Sequence, residues 1–236
     1  MRRRSPQPYR NDAVRGVVGA AAAAPRTVGQ RSRAAPHRTW GSGWFHGCMD
    51  DALSDVAAIS ERIDEHLDDG VAVVAFDRPD KRNAISTREE CDEVVDACHR
   101  LGLDDDVRAV IVTGAGSAFC AGGDLKGMRD GTGITGGKTV AEIRESYRRG
   151  IQRIPLALFN LEVPVIAAIN GPAIGAGLDL ACMCDLRIAA EGAKFAESFV
   201  KLGIVPGDGG AWLLPRIIGL SRASELLFTG DTFGTR

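Results

Sequence analysis

The chain has 236 residues, 44% of them hydrophobic and 25% charged, which suits one sizeable soluble core. No uninterrupted apolar run approaches the roughly 20 residues that a membrane-spanning helix needs. The net charge of −2 is uneven: residues 1–47 hold nine Arg, no Lys and one acid, so they carry +8 and the rest of the chain −10. An acidic body argues against nucleic acid as the main partner.

In chain order, residues 1–48 read as a disordered or non-native extension rather than as part of a fold. "RRRSPQPYR", "GAAAAAP" and "RSRAAPHR" are rich in Arg, Ala and Pro and show no sustained period. Three readings stand. The segment is an organelle transit peptide, which would make the protein mitochondrial. It is a basic tail for an acidic partner. Or it is upstream sequence read through, with Met49 as the start and a cytoplasmic protein over 49–236. The third is favoured, because "MDDALSDVAAISERID" turns abruptly acidic and organised.

From residue 60 strands and helices alternate. "VAVVAFD" (71–77) predicts a strand. "STREECDEVVDACHRLG" (86–102) predicts a helix, with Ser86 and Glu89 as its capping box and Gly102 near its end. "VRAVIVTG" (107–114) is apolar on both faces and predicts a buried strand. Residues 138–160 predict a long helix that Pro155 kinks or divides. "VPVIAAING" predicts a third buried strand, "AIGAGLDLACMC" a small-residue helix and "DLRIAA" another strand. "GGAWLLPRIIG" and "SRASELLFTG" predict two closing helical segments. Strands separated by helices imply an α/β fold with right-handed crossovers.

Three glycine stretches resemble nucleotide loops but miss a required residue. In "GAGSAF" Phe119 stands at the third glycine's place, and in "GAGLDL" Leu180 does. "TGITGGKT" has Thr132 where a phosphate loop needs its first glycine, and no apolar strand precedes it. The six cysteines match no zinc spacing and read as buried free thiols in a reducing compartment. None of the four histidines lies near a glycine-rich motif, so neither a Ser–His or Cys–His nucleophile nor a metal site is expected.

Two of the strands end in small residues, in "CAGGD" and "AIGAGLD". Small residues let a ligand approach the backbone, and the second run opens a helix whose first N–H groups lack partners. Two such N–H groups converging on one point would stabilise a carbonyl oxygen that becomes negative.

At this point the chain resembles the enoyl-CoA hydratase/isomerase (crotonase) family. "FDRPDKRNAIS", "GAGSAFCAGGDLKGM", "AAINGPAIGAGLDLACMCDLRIA" and "FVKLGIVPGDGG" occur in the family's order, over about residues 58–233. The resemblance implies a ClpP-like spiral of ββα units, usually assembled as trimers or hexamers, that binds acyl-CoA thioesters and stabilises their enolates. It implies no cofactor beyond the coenzyme A of the substrate, and no metal. Position by position it makes the N–H groups of Gly123 and Ala176 the oxyanion donors. Ala121, Gly123, Asp124 and Leu125 would line the adenine and pantetheine path, and Lys81, Arg82 and Ala84 would run beside the CoA phosphates. Asp124 is expected to fix the turn and to do no chemistry.

The chain also departs from the family. One family glutamate corresponds to Asp179, which keeps the acid on a shorter stem, and the other to Phe199, which cannot hold water. Glu197, two residues away, is expected to point elsewhere. Asp208 is a further acid/base candidate, or else a cap for the following helix. The family's later helices have no counterpart after "LFTGD", so a non-catalytic or truncated CoA-binding paralogue is the alternative to an isomerase- or hydratase-type enzyme of acyl-CoA breakdown. The expected acid/base groups are Asp179 and Asp208.

Overall fold

The computed structural model describes residues 63–68, 70–133 and 139–235. Residues 1–48, and with them the extension, lie outside the described residues, as does most of "TGITGGKT".

The fold is α/β, as expected. A five-stranded sheet has the order β1 (Ile63–Asp68), β2 (Val71–Phe76), β3 (Ala109–Gly114), β4 (Val165–Ile169), β6 (Leu186–Ala189). A second sheet has the order β5 (Ala173–Ile174), β7 (Lys194–Ala196), β8 (Thr232–Gly234). β1 and β2 form an antiparallel hairpin, and β2, β3, β4 and β6 run parallel. Parallel strands must be covered on both faces, which is why "VRAVIVTG" and "VPVIAAING" carry unbroken apolar runs.

The units repeat. β4 lies in the large sheet, β5 in the small one, and helix α5 (Ala176–Met183) follows. β6 and β7 divide between the sheets in the same way before α6 (Gly210–Ile218). β3 leads to a single bridge, Cys120 with Ala173 of β5, before the short α2 (Leu125–Asp130). This is the expected succession of ββα units. The sequence reading missed β1, α2, β7 and β8, and placed β5 inside the helix that follows it.

Helix α1 (Arg88–Gly102) buries Cys91, Val94, Val95, Cys98 and Leu101 at helical spacing. Its capping box is one residue later than expected. Thr87 Oγ1 accepts from the Glu90 N–H at 3.2 Å, and the Glu90 carboxylate accepts from the Thr87 N–H at 3.0 Å. The two registers, Ser86 with Glu89 and Thr87 with Glu90, look alike in sequence. The buried ion pair between Glu90 and Arg78 selects the second.

The predicted long helix is two: α3 (Val140–Arg149) and α4 (Arg153–Phe159). The break falls at Gly150 (φ −111°, ψ −113°), not at Pro155. Pro155 sits in the first turn of α4, where its missing N–H costs nothing. α6 and α7 (Leu220–Thr229) form the two predicted closing helices, and β8 follows them. Among the described residues no helix is long and apolar enough to cross a membrane.

Candidate active site

Two segments far apart in sequence are stitched together first. The Ala121 N–H donates to the Arg82 carbonyl at 2.9 Å, and the Ile85 N–H donates to the Gly122 carbonyl at 2.8 Å. Residues 81–85 therefore run beside residues 121–124. Asn83 clamps the pair and is 2% exposed. Its amide nitrogen donates to the carbonyls of Ala118 (2.8 Å) and Ala115 (3.0 Å), and its Oδ1 accepts from the Arg78 N–H at 2.8 Å. Both Arg82 (φ 52°) and Asn83 (φ 57°) are left-handed, a conformation Asn tolerates better than most residues.

The sequence reading did not single out Asn83. Its place between "DRP" and "IS" was the available signal, since Asn at a tight turn commonly bonds nearby backbone. Asn83→Ala is expected to lower unfolding free energy by about 2–4 kcal/mol, because it strands buried carbonyls. Denaturant titration of the two proteins measures this, and a change within 0.5 kcal/mol or so, ordinary for a surface site, would refute the clamp.

The second junction brings the two small-residue runs together. The Ile174 N–H donates to the Cys120 carbonyl at 3.0 Å. Gly122 is left-handed (φ +85°), and a Cβ there would collide with the Ile174 carbonyl oxygen and lie 3.4 Å from the Ala176 nitrogen. Only glycine fits both demands. Ala176 is the first residue of α5, so its N–H has no partner within the helix. Among the described residues neither Ala176 nor Gly123 donates its N–H to a backbone carbonyl. Met128 of α2 lies over Gly123, at 3.6 Å from where a Cβ would stand.

Around this junction the predicted binding residues divide. Lys81, Arg82 and Leu125 are exposed, and neither cation is ion-paired among the described residues. Ala84, Ala121, Gly123 and Asp124 are half-buried. Asp124 caps α2, its Oδ1 accepting from the Lys126 N–H at 2.9 Å.

One turn into α5, Asp179 is 0% exposed. Its carboxyl lies directly against Gly210 at the start of α6. Asp208 (3% exposed) and Glu197 (1% exposed) meet it there. Asp208 caps nothing: the residue before α6 is Gly209, with no side-chain cap, and Asp208 turns inward.

The expectation for Glu197 is overturned. β7 ends at Ala196 and a 3-10 turn covers Ser198–Leu202, so strand alternation does not carry through residues 197–199. A three-residue turn sends positions two apart in different directions. Glu197 faces Asp179, while the Phe199 ring lies 3.8 Å from a Cβ position at Gly175, just before Ala176.

Three carboxyls in a dry site dictate its electrostatics. Both oxygens of Asp179, both of Glu197 and Oδ1 of Asp208 are buried with no hydrogen-bond donor among the described residues. No Lys or Arg among those residues pairs with any of them. Burial holds the Asp179 carboxyl well above the usual range, with Glu197 beside it adding to the rise. Burial pushes Glu197 up to about 7. Burial and then the charge of Asp179 push Asp208 to about 9. Such a cluster holds protons at neutral pH and can give or take them.

Tyr147 of α3 also belongs here. Its ring lies 3.8 Å from a Cβ position at Gly207, and burial followed by the charge of Asp208 raises its phenol. Gln152 Nε2 donates to the Gly207 carbonyl at 2.6 Å, tying the α3–α4 junction to the loop that carries Asp208. The described cysteines, Cys91, Cys98, Cys120, Cys182 and Cys184, are buried free thiols. Burial pushes Cys120 up to about 12, so it is no nucleophile at neutral pH.

This chain is similar to a large set of known proteins. The profile of the enoyl-CoA hydratase/isomerase family matches residues 66–236. A Mycobacterium tuberculosis protein named "Probable enoyl-CoA hydratase EchA14" is 40% identical over 167 residues, which are 71% of this chain and 62% of that one. The 1,2-epoxyphenylacetyl-CoA isomerase of Escherichia coli is 37% identical over 172 residues, 72% of this chain and 63% of the isomerase. The crystal structure of an enoyl-CoA hydratase from Bacillus anthracis superposes with a TM-score of 0.66 at 35% identity, covering 73% of this chain and 64% of that one. The chain thus spans somewhat less than two thirds of the length of the relatives it matches.

Proposed function

The chain belongs to the enoyl-CoA hydratase/isomerase family, and we propose that it moves a proton beside the carbonyl of an acyl-CoA thioester, as an enolate-forming isomerase in acyl-CoA breakdown. The observation that carries this reading is the buried Asp179–Glu197–Asp208 cluster one helical turn from the N–H of Ala176.

In this scheme the thioester oxygen sits between the N–H groups of Gly123 and Ala176. The Asp179 carboxylate takes a proton from the adjacent carbon, and the electron pair moves onto that oxygen. Return of a proton two carbons further along an unsaturated chain shifts the double bond. Two fixed donors and the dipole of α5 stabilise the negative oxygen. Asp208 stays protonated and keeps a second negative charge away from the base. Lys81 and Arg82, exposed and without an ion pair among the described residues, face the CoA phosphates, and Ala84, Ala121, Asp124 and Leu125 border the path between.

Asp179 has no exposed surface, so the acyl group reaches it only when the segment around Gly207–Gly210 yields. Phe199, which can neither hold nor activate a water, occupies the flank of Ala176. Isomerisation of a 3-enoyl-CoA is therefore expected to exceed hydration of the 2-enoyl-CoA by at least about 10²-fold, the low end of what a positioned acid/base group contributes. Both rates are measured on the purified protein. Faster hydration would overturn the dry proton transfer, and turnover of neither would overturn the enzymatic reading.

A further inference from the structure

Glu197 has no part in the scheme above, yet it is as buried as the base itself. It leaves β7 at the point where the 3-10 turn begins and faces Asp179 on α5. All four oxygens of these two carboxyls lack a donor among the described residues. The titratable groups around them are also acids: Asp208 before α6, Cys182 one turn on in α5, and Tyr147 of α3 beside Asp208. Among the described residues Arg187 of β6 is the cation acting nearest this neighbourhood, and it acts on Cys182 and Cys184. Two carboxylates pressed together away from water and cations cannot both be ionised. With one proton between them, each oxygen pair gains the partner it lacks.

We infer that Glu197 and Asp179 share one proton, which Glu197 holds while Asp179 takes the substrate proton, so that Glu197 sets the charge of Asp179. This rests on Asp179 being the base of the proposed reaction. Glu197 is then a positioning residue, acting through Asp179. The balance is closed. The resting pair holds one proton and one negative charge. Removing the substrate proton leaves the pair neutral with two protons and the substrate as its enolate. Returning one proton to carbon restores the pair, and nothing else is consumed. The pair titrates as a unit, and its two protonation steps belong to both residues.

Glu197→Gln keeps the shape and removes the shared proton. The first readout needs no substrate. With Glu197 raised from 4.5 to about 7, the folded protein holds more protons than the unfolded chain within that window. Its contribution to stability is present below the window and is lost as pH rises through it. The melting temperature of wild type should therefore fall, relative to that of Glu197→Gln, between pH 5 and 8. Parallel curves would overturn the shared proton.

The second readout is the pH profile of acyl-CoA isomerisation. Without the O–H of Glu197 to steady its carboxylate, Asp179 should ionise less easily, moving the acid limb up by about one pH unit, with KM held within about threefold. An acid limb that stays in place would overturn the coupling, whatever happens to the rate. Wild type that turns over no acyl-CoA, while the melting curves diverge as expected, would leave the shared proton standing and remove the proposed function. If Glu197→Gln does not fold, infrared spectra of Asp208→Asn, which lacks the other protonated acid, decide: a protonated-carboxyl band persisting above pH 6 supports the pair, and its absence overturns it.

Discussion

Replacing Asp179 by Asn is expected to leave acyl-CoA binding near the wild-type level and to reduce turnover by about 10²–10⁴-fold, the range typical of a lost general base. Asp179 lies three residues past Ala176 on α5, so the two share a face of the helix. Its carboxyl is buried against Gly210 and raised above the ordinary range by burial and by Glu197. Asn fits the same space, and its amide can donate to Glu197 or Asp208, so the fold should survive. Stopped-turnover assays with a 3-enoyl-CoA, paired with a binding titration of a saturated acyl-CoA, separate the two effects. A fully active Asp179→Asn together with a dead Asp208→Asn would move the chemistry to the loop before α6.

Deleting one oxyanion donor is the second large effect. Gly123→Pro removes the N–H without adding a polar group, and is expected to cost about 3–4 kcal/mol in the barrier, or roughly 10²–10³ in turnover. The Gly123 N–H serves no backbone acceptor among the described residues, so the substitution breaks no ladder bond. The Met128 side chain over Gly123 is flexible and can yield to the ring. Circular dichroism and an unaltered melting temperature would establish that the variant folds. Unchanged turnover in a folded variant would remove Gly123 from the mechanism.

Much of the site was legible because its signals are local. "CAGGD" and "AIGAGLD" show glycine where backbone approaches backbone, and Gly122 meets the Ile174 carbonyl for that reason. The apolar runs over 107–114 and 163–171 show strands covered on both faces, and they are the central strands of the large sheet. Asp179 was reached through the family resemblance, as the position of a family glutamate. Asn83 was not legible in the same way. One polar residue in a turn has many uses, and its partners at Ala115 and Ala118 lie more than thirty residues away.

By itself the sequence determined the α/β class, the order of the main elements and the two small-residue strand ends, while the candidate acids Asp179 and Asp208 came from the family resemblance. The class, the order and the strand ends depend on period, residue size and spacing within about a dozen residues, all of which are written along the chain. Tertiary structure alone decided three other things. It chose Thr87 over Ser86 as the cap of α1, because the pairing of Glu90 with Arg78 is a contact between elements. It placed the helix break at Gly150, because Pro155 is harmless in a first turn that begins only where α4 packs on α1. And it turned Glu197, not the residue at Phe199, toward Asp179. The direction of a side chain at the end of a strand depends on where pairing with β5 and β8 stops, and that is settled by the sheet rather than by the residue.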